Sequence, residues 1–203
     1  MGPLAALTLV IVITFGQAKD LSRWMTNMDE NLKDIPLMEL AIPGSHNSGA
    51  YWMDETGPVA SDASDYVKGL IVQQPYTREV LKRYSLTQSM DILSQLNAGV
   101  RHLDIRNSVF NGTFHVYHAF YGHTLQHVFN QIKTFLDSNP REVVFLGMNR
   151  CLDCTPDHEF LVGKLITEIF PGKMFPRLSD LTKVTLNDVL RAGIVNIINY
   201  YLC

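Results

Sequence analysis

A strong excess of charge of either sign is missing from this chain. Its 203 residues carry 17 Lys+Arg against 20 Asp+Glu, a net charge of −3, and only 18% of them are charged. That balance argues against nucleic acid as the main partner, which would need a basic face. It gives no sign of a basic surface that hugs membranes. Cysteine is scarce, with three in all. There is no G-x-S-x-G elbow, no P-loop and no H-E-x-x-H, which argues against the common serine hydrolases, P-loop NTPases and a helix-borne zinc site and leaves a metal site of histidines and Asp104 as an alternative. Internal repeats and low-complexity tracts are absent as well. What is present is a globular composition, 46% hydrophobic. It excludes a mostly disordered chain and makes one domain the default.

The N-terminus reads as a leader. Residues 4–15 are an apolar run too short to span a bilayer comfortably, and Gly16-Gln17-Ala18 offers small residues at a signal-peptidase site. An N-terminal anchor or a buried strand is the alternative, since no Lys or Arg precedes the run. No later segment reaches about 18 apolar residues. The expectation is a signal peptide over 1–18 and a secreted, extracellular or lumenal protein over 19–203. Asn111-Gly112-Thr113 is an N-glycosylation sequon between two strands, where a surface loop belongs. Cys151 and Cys154 have C-x-x-C spacing. A redox dithiol would open a helix early in a βαβ unit, whereas this pair lies late and just after a strand. A local disulfide in an oxidising lumen fits better. Zinc would need two more ligands, and His158 is one candidate. Cys203 is left odd and terminal.

Along the chain, 37–42 reads as a strand entering a Pro43-Gly44 turn. Residues 51–84 form a long, polar, irregular excursion with room for short helices, of the kind that often acts as a lid. Ser85-Leu86-Thr87-Gln88 resembles a capping box before a helix that stops at Gly99. Strands follow at 100–105 and 114–117. Apolar residues at helical spacing mark a helix over 123–138. A buried strand covers 143–147, a helix runs from Thr155-Pro156 to 169, a short helix covers 186–191, and a strand covers 194–198. Alternation of this kind argues for an α/β fold with a mostly parallel sheet.

The strand ends carry the chemistry. His46 lies just past the first strand, Asp104 and Arg106 at or just past the end of the second, and His118 just past the third. In parallel folds such ends share one crevice. Two imidazoles suit acid–base work near neutral pH, and a guanidinium suits a phosphate. Singly, each histidine reads as structural at least as readily. His115, His123 and His127 read as loop or surface residues. The coincidence of His46, Asp104, Arg106 and His118 at successive strand ends is what favours phosphoryl transfer.

These same residues resemble a known family. Ile42-Pro43-Gly44-Ser45-His46-Asn47, then Gly99-Val100-Arg101-His102-Leu103-Asp104-Ile105-Arg106, then Val116-Tyr117-His118, then Asn139-Pro140-Arg141-Glu142-Val143-Val144 are similar to the X domain of phosphatidylinositol-specific phospholipase C. The likeness is strongest to X-domain-containing proteins related to the bacterial secreted enzymes. It implies a TIM-type (β/α) barrel, here truncated at the C-terminus. The strands read above number about five, and such a barrel takes eight and about 250 residues. It implies cleavage of an inositol phospholipid by attack of the inositol 2-hydroxyl on phosphorus. His46 matches the general base, His118 the general acid and Arg106 the phosphate-stabilising cation. Asp104 and Asn47 match supporting polar positions. Calcium-dependent relatives place a glutamate where this chain has His102, and Arg106 supplies charge that calcium would bring. The resemblance therefore implies no metal and no cofactor. The partners it implies are a phospholipid or inositol-phosphate headgroup and, transiently, a membrane surface. Two departures stand out. Ala119 follows His118 where glycine is common, and Gly147-Met148-Asn149 lacks a charged residue frequent there. The second reading is a catalytically inactive X-domain relative that binds a phosphorylated headgroup or a protein.

Overall fold

The computed structural model describes residues 20–74, 76–175, 182–191 and 197–201. The expected signal peptide and Cys203 lie outside them, as do 194–196 of the strand expected at 194–198. The order of elements is α1 (Glu30–Lys33), β1 (Gly44–Ser45), α2 (Asp65–Gln73), α3 (Thr77–Ser85), α4 (Ile92–Asn97), β2 (His102–Phe110), β3 (Thr113–His118), β4 (Phe120–Thr124), α5 (Leu125–Ser138), β5 (Val144–Leu152), α6 (Pro156–Ile169), α7 (Leu186–Arg191) and β6 (Ile197–Tyr201).

Among the described residues the strands form one sheet in the order β4-β3-β2-β5-β6, with β1 also paired to β2. The sheet is mixed. β1, β5 and β6 run parallel to their neighbours, but β3 is antiparallel to β2 and β4 to β3. The mostly parallel sheet expected from strand–helix alternation is thus corrected at β2–β3–β4. The reason is local. Asn111 and Gly112 both take positive φ, 50° and 73°, and Phe110 pairs with Thr113 across them. That is a two-residue hairpin of the Asn-Gly type, and it turns the chain straight back. The sequon asparagine sits exposed at its tip.

Helices α4, α5 and α6 cover one face of the sheet. Leu103 and Ile105 of β2, Val116 of β3 and Val144, Leu146 and Met148 of β5 pack there against Phe129, Ile132 and Phe135 of α5 and Val162 and Ile166 of α6. Strand side chains alternate, so Asp104 and Arg106 project from the opposite face. α5 begins at Leu125 because Thr124 caps it, its hydroxyl accepting from the His127 N–H. α6 carries a full capping box of Thr155 and His158 with Pro156 in the first turn. Both helices match the periodicity closely. A second apolar cluster of Met25, Leu37, Val143, Leu186 and Val189 packs near the start of β5.

Three expectations fail locally. Residues 37–42 are no strand: Leu37–Glu39 is a 3-10 turn, and β1 is only Gly44–Ser45. Leu37 and Ile42 serve the second cluster, and an apolar run that short looks alike in either conformation. The strand expected at 100–105 is β2, which runs on to Phe110. The capping box at Ser85 caps nothing. Ser85 ends α3, and α4 starts at Ile92 with Asp91 as its cap. The excursion over 51–84 holds α2 and α3, and its first part lines the edge of β4. Met53 bridges to Gly122 and Val59 to Phe120, which covers an edge that would otherwise expose unpaired backbone. No described helix is long and apolar enough to cross a membrane.

Candidate active site

The site forms where β2 has no neighbour on one side. β1 pairs with β2 at His102 and Leu103, and β3 pairs with it from Asn107 to Phe110. Asp104, Ile105 and Arg106 lie in the gap between. β1 runs into it from one end. β3, being antiparallel, runs into it from the other and ends at His118. Asp104 and Arg106 are therefore mid-strand residues, not strand-end residues as the sequence suggested. His118 arrives at their level because its strand runs the opposite way.

After β1 the chain makes a tight turn. The Ser48 N–H donates to the Asp104 carbonyl at 2.7 Å, and the Asp104 N–H donates to the Ser48 hydroxyl at 2.9 Å. Ser48 thus satisfies the β2 backbone where strand pairing has stopped. Asn47 adopts φ 44°, a conformation asparagine tolerates better than most residues, and its N–H donates to Asp104 Oδ2 at 2.9 Å. Gly49 has no alternative, since a Cβ there would lie 2.6 Å from Val116 Cγ1. The false capping box braces this turn from outside. Thr87 Oγ1 donates to the Asn47 carbonyl at 2.9 Å, and Gln88 Nε2 to the His46 carbonyl at 2.8 Å. Buried Gln95 of α4 ties Ser45 and Ser48 from beneath.

The turn presents His46 to Asp104. His46 Nδ1 lies 3.0 Å from Asp104 Oδ2, with the imidazole 65% exposed and the carboxylate 10%. Arg106 NH2 lies 3.4 Å from His46 Nε2 and 3.7 Å from Asp104 Oδ2. A guanidinium only donates and a carboxylate only accepts. The geometry thus places the His46 proton on Nδ1 and leaves Nε2 as a lone pair. His118 is set the same way by a different group. Its Nδ1 lies 2.9 Å from the Ser85 carbonyl, the last of α3, so that nitrogen carries a proton and Nε2 is left for chemistry. Ala119, next in sequence, has φ 62°. This is the left-handed conformation that glycine enters freely, which is a physical reason for glycine to be common at that position; nothing in the structure explains the alanine.

Tyr117, on the strand that delivers His118, has its pKa raised to about 12 by burial first and by the Asp62 carboxylate next. It is a neutral hydroxyl at any physiological pH. His102 is held below the ordinary imidazole value by burial, against the pull of Asp104. Among the described residues no group of three or more His, Cys, Asp or Glu could hold a metal ion.

Sequence reasoning missed Asn149. β2 and β5 lose register between Ile105 and Arg106, so Ile105 pairs with Met148 but Arg106 with Arg150. Asn149 is the extra residue of that bulge, and its Nδ2 donates to Asp104 Oδ1 at 2.8 Å. A bulge leaves no mark in hydrophobic periodicity. Arg101, which shares a motif with Asp104, belongs elsewhere and is fully buried against Glu142. Cys151 and Cys154 are joined by a disulfide with Cα atoms 5.5 Å apart. Its loop touches the excursion, Ser61 donating to Asp153 at 2.6 Å and Arg150 facing Asp62 at 3.4 Å.

A family model described as the X domain of phosphatidylinositol-specific phospholipase C matches residues 62–192. That span includes Asp104, Arg106, His118 and Asn149 and begins after His46. Human PI-PLC X domain-containing protein 2 is 33% identical over 169 residues, covering 80% of this chain and 55% of the relative. Human PI-PLC X domain-containing protein 1 is 35% identical over 161 residues, covering 76% and 50%. The chain thus spans about half the length of the curated relatives it matches. Among solved structures, a histidine-to-tyrosine mutant of the Staphylococcus aureus phosphatidylinositol-specific phospholipase C superposes with TM-score 0.61 at 23% identity, over 90% of this chain and 52% of that one. The Listeria monocytogenes phosphatidylinositol-specific phospholipase C gives 0.60 at 21%, over 90% and 57%.

Proposed function

The chain belongs to the phosphatidylinositol-specific phospholipase C X-domain family, and on that premise we propose that it is a metal-independent phosphodiesterase acting on inositol phospholipids. The observation that carries this reading is the arrangement of His46, Asp104 and Arg106 in the β2 gap. His46 Nε2 accepts the proton of the inositol 2-hydroxyl, and the oxygen attacks phosphorus. The bond from phosphorus to the diacylglycerol oxygen breaks, and His118, entering the step as the imidazolium with a proton on each nitrogen, delivers the Nε2 proton to that oxygen. The products are a cyclic inositol phosphate and diacylglycerol. Arg106 offsets charge on the phosphoryl oxygens, and Asp104 holds the His46 tautomer and steadies its charged form. Asn47 keeps Asp104 in place through its N–H.

A membrane surface as transient partner is supported by the excursion. Tyr66, Tyr76 and Tyr84 are 75%, 70% and 80% exposed, and tyrosine suits the lipid–water boundary. Secretion is proposed on the leader and on Asn111 at an exposed hairpin tip. A glycosidase-sensitive mobility shift of the secreted chain, absent in Asn111→Gln, is the expected result. The openness of His46 favours a second reading, in which the same cradle binds a phosphorylated headgroup without cleaving it. One experiment separates the two. Phosphatidylinositol cleavage is measured in excess EDTA beside His118→Ala. Release of inositol phosphate that resists EDTA and drops by about 10²-fold or more in the mutant supports catalysis. Binding of the headgroup without release supports the second reading.

A further inference from the structure

Asp104 sits between two competitors for its carboxylate. His46 lies at 3.0 Å from Oδ2 and Arg106 at 3.7 Å from the same oxygen. The terminal torsion of an aspartate is soft and roughly two-fold. Arginine prefers to take both oxygens of a carboxylate in a forked pair. Left to itself, Asp104 would turn both oxygens to Arg106, abandon His46 and neutralise the cation that the phosphate needs. What prevents this is the 2.8 Å bond from Asn149 Nδ2 to Oδ1, working with the 2.9 Å bond from the Asn47 N–H to Oδ2. With Oδ1 held there, Oδ2 is left to the Asn47 N–H and to His46.

The backbone is shaped for this contact. Asp104 pairs directly with Gly147, which has no side chain, so the diagonal neighbour two residues on can reach the carboxylate. The bulge frees Asn149 from a partner of its own on β2. The amide has one permitted orientation, because a carboxylate accepts and cannot donate. Its Oδ1 is then turned to a buried place where no described group donates to it. A buried acceptor without a donor lowers stability. The arrangement is therefore not the one that packing alone would favour.

We infer that Asn149 is the positioning residue of this site, aiming Asp104 at His46 and keeping Arg106 free for the phosphate; the inference rests on the phosphodiesterase reading for its purpose but not for its geometry. The test uses the whole chain and two variants, Asn149→Ala and the isosteric Asn149→Asp. Two-bond proton–nitrogen NMR of the histidines reads which His46 nitrogen carries the proton, with His46→Ala to assign the signal. The expected result is an Nδ1–H tautomer in the unaltered chain and a shift toward Nε2–H in Asn149→Ala. Its kcat for phosphatidylinositol falls roughly 10- to 100-fold, and KM changes less than the kcat does. Asn149→Asp carries a second carboxylate with no proton to give at pH 8. As pH falls toward 5.5 the two carboxyls share a proton, the donor returns, and the ratio of mutant to unaltered kcat rises.

An unchanged His46 tautomer in folded Asn149→Ala overturns the inference, whatever the enzyme does. So does a flat activity ratio for Asn149→Asp. If Asn149→Ala does not fold, the same nitrogen spectrum of Asn149→Asp at pH 8 and 5.5 decides: a tautomer insensitive to pH overturns the proposal. A chain that cleaves nothing but shows the tautomer shift would sink the phosphodiesterase reading and leave the positioning role standing.

Discussion

Two arginines five residues apart in the same stretch of chain have opposite fates. Arg101 lies just before β2 and is fully buried. Its Nε and NH2 donate to Glu142 Oε2 at 3.0 and 2.8 Å, NH1 donates to the Leu96 and Val100 carbonyls, and NH2 also reaches those of Leu21 and Ser22. Its guanidinium lies 4.7 Å from the Phe135 ring centroid. Glu142 is saturated in turn by the N–H groups of Met25 and Thr26 and the Thr26 hydroxyl. Among the described residues Arg106 makes two long contacts, at 3.4 and 3.7 Å, and keeps 29% of its side chain exposed. A saturated, buried guanidinium can only hold the fold together. An unsaturated one at the mouth of a gap in the sheet still has donors to offer. The difference between structure and chemistry here lies in unused hydrogen-bonding capacity, not in residue type.

That contrast can be broken in order of effect. Glu142→Ala should cost about 3–5 kcal/mol, because it strands the Arg101 charge in the core. Denaturant unfolding checks it, and a loss under about 1 kcal/mol would mean the pair is not the staple described here. Arg106→Ala should do the reverse. Its activity should fall about 10²–10³-fold, as for other removed donors to a developing anion. Stability should move by less than about 1 kcal/mol, the range of partly exposed ion pairs. A variant that lost both together would erase the distinction.

A gentler probe is acid. His123 is stacked on Trp52 and His127, with ring centroids 4.7 and 4.3 Å away. Burial holds its pKa below the ordinary 6.5, and the neighbouring His127 and His115 push the same way. As pH falls through about 6.5 the unfolded chain binds a proton that the folded chain refuses, so stability declines toward acid. His123→Phe keeps the stack and removes the proton. The fall in Tm between pH 7.5 and 5.5 should become shallower, and an unchanged slope would contradict the assignment. The smallest effect belongs to Ala119. At φ 62° a Cβ is strained by about 1 kcal/mol, partly offset by the unfolded-state entropy glycine adds. Ala119→Gly should therefore raise stability by under about 1 kcal/mol without altering the site, as thermal melts and cleavage rates would show.

Much of this molecule was legible beforehand, for reasons of short range. α5 and α6 follow from apolar spacing and from Thr124, Thr155 and Pro156 at their starts. The Asn111-Gly112 hairpin has a signal of its own, and it returns β3 antiparallel within a sheet that strand–helix alternation makes mostly parallel. His46, Asn47, Asp104, Arg106 and His118 were identified as candidates by motif. The excursion holding α2 and α3 reads from its residues as irregular with room for short helices, and their bounds are not legible because the helices are short and display their tyrosines outward. Residues 85–88 were misread, because a Ser-x-x-Gln pattern is the same whether it caps a helix or braces a turn.

Which side chains are available and which local segments are helical can be read along the chain, since both depend on a residue and its near neighbours. Long-range pairing is what stops β1 and returns β3 so as to leave Asp104 to Arg106 unpaired on one side. It alone decides that Arg101 is spent on Glu142 while Arg106 is not, and that one extra residue in β5 brings Asn149 to Asp104. Each of these is a matter of register between strands distant in the chain. Register is settled by hydrogen bonds and packing summed over the whole sheet, and no window of neighbouring residues contains that sum.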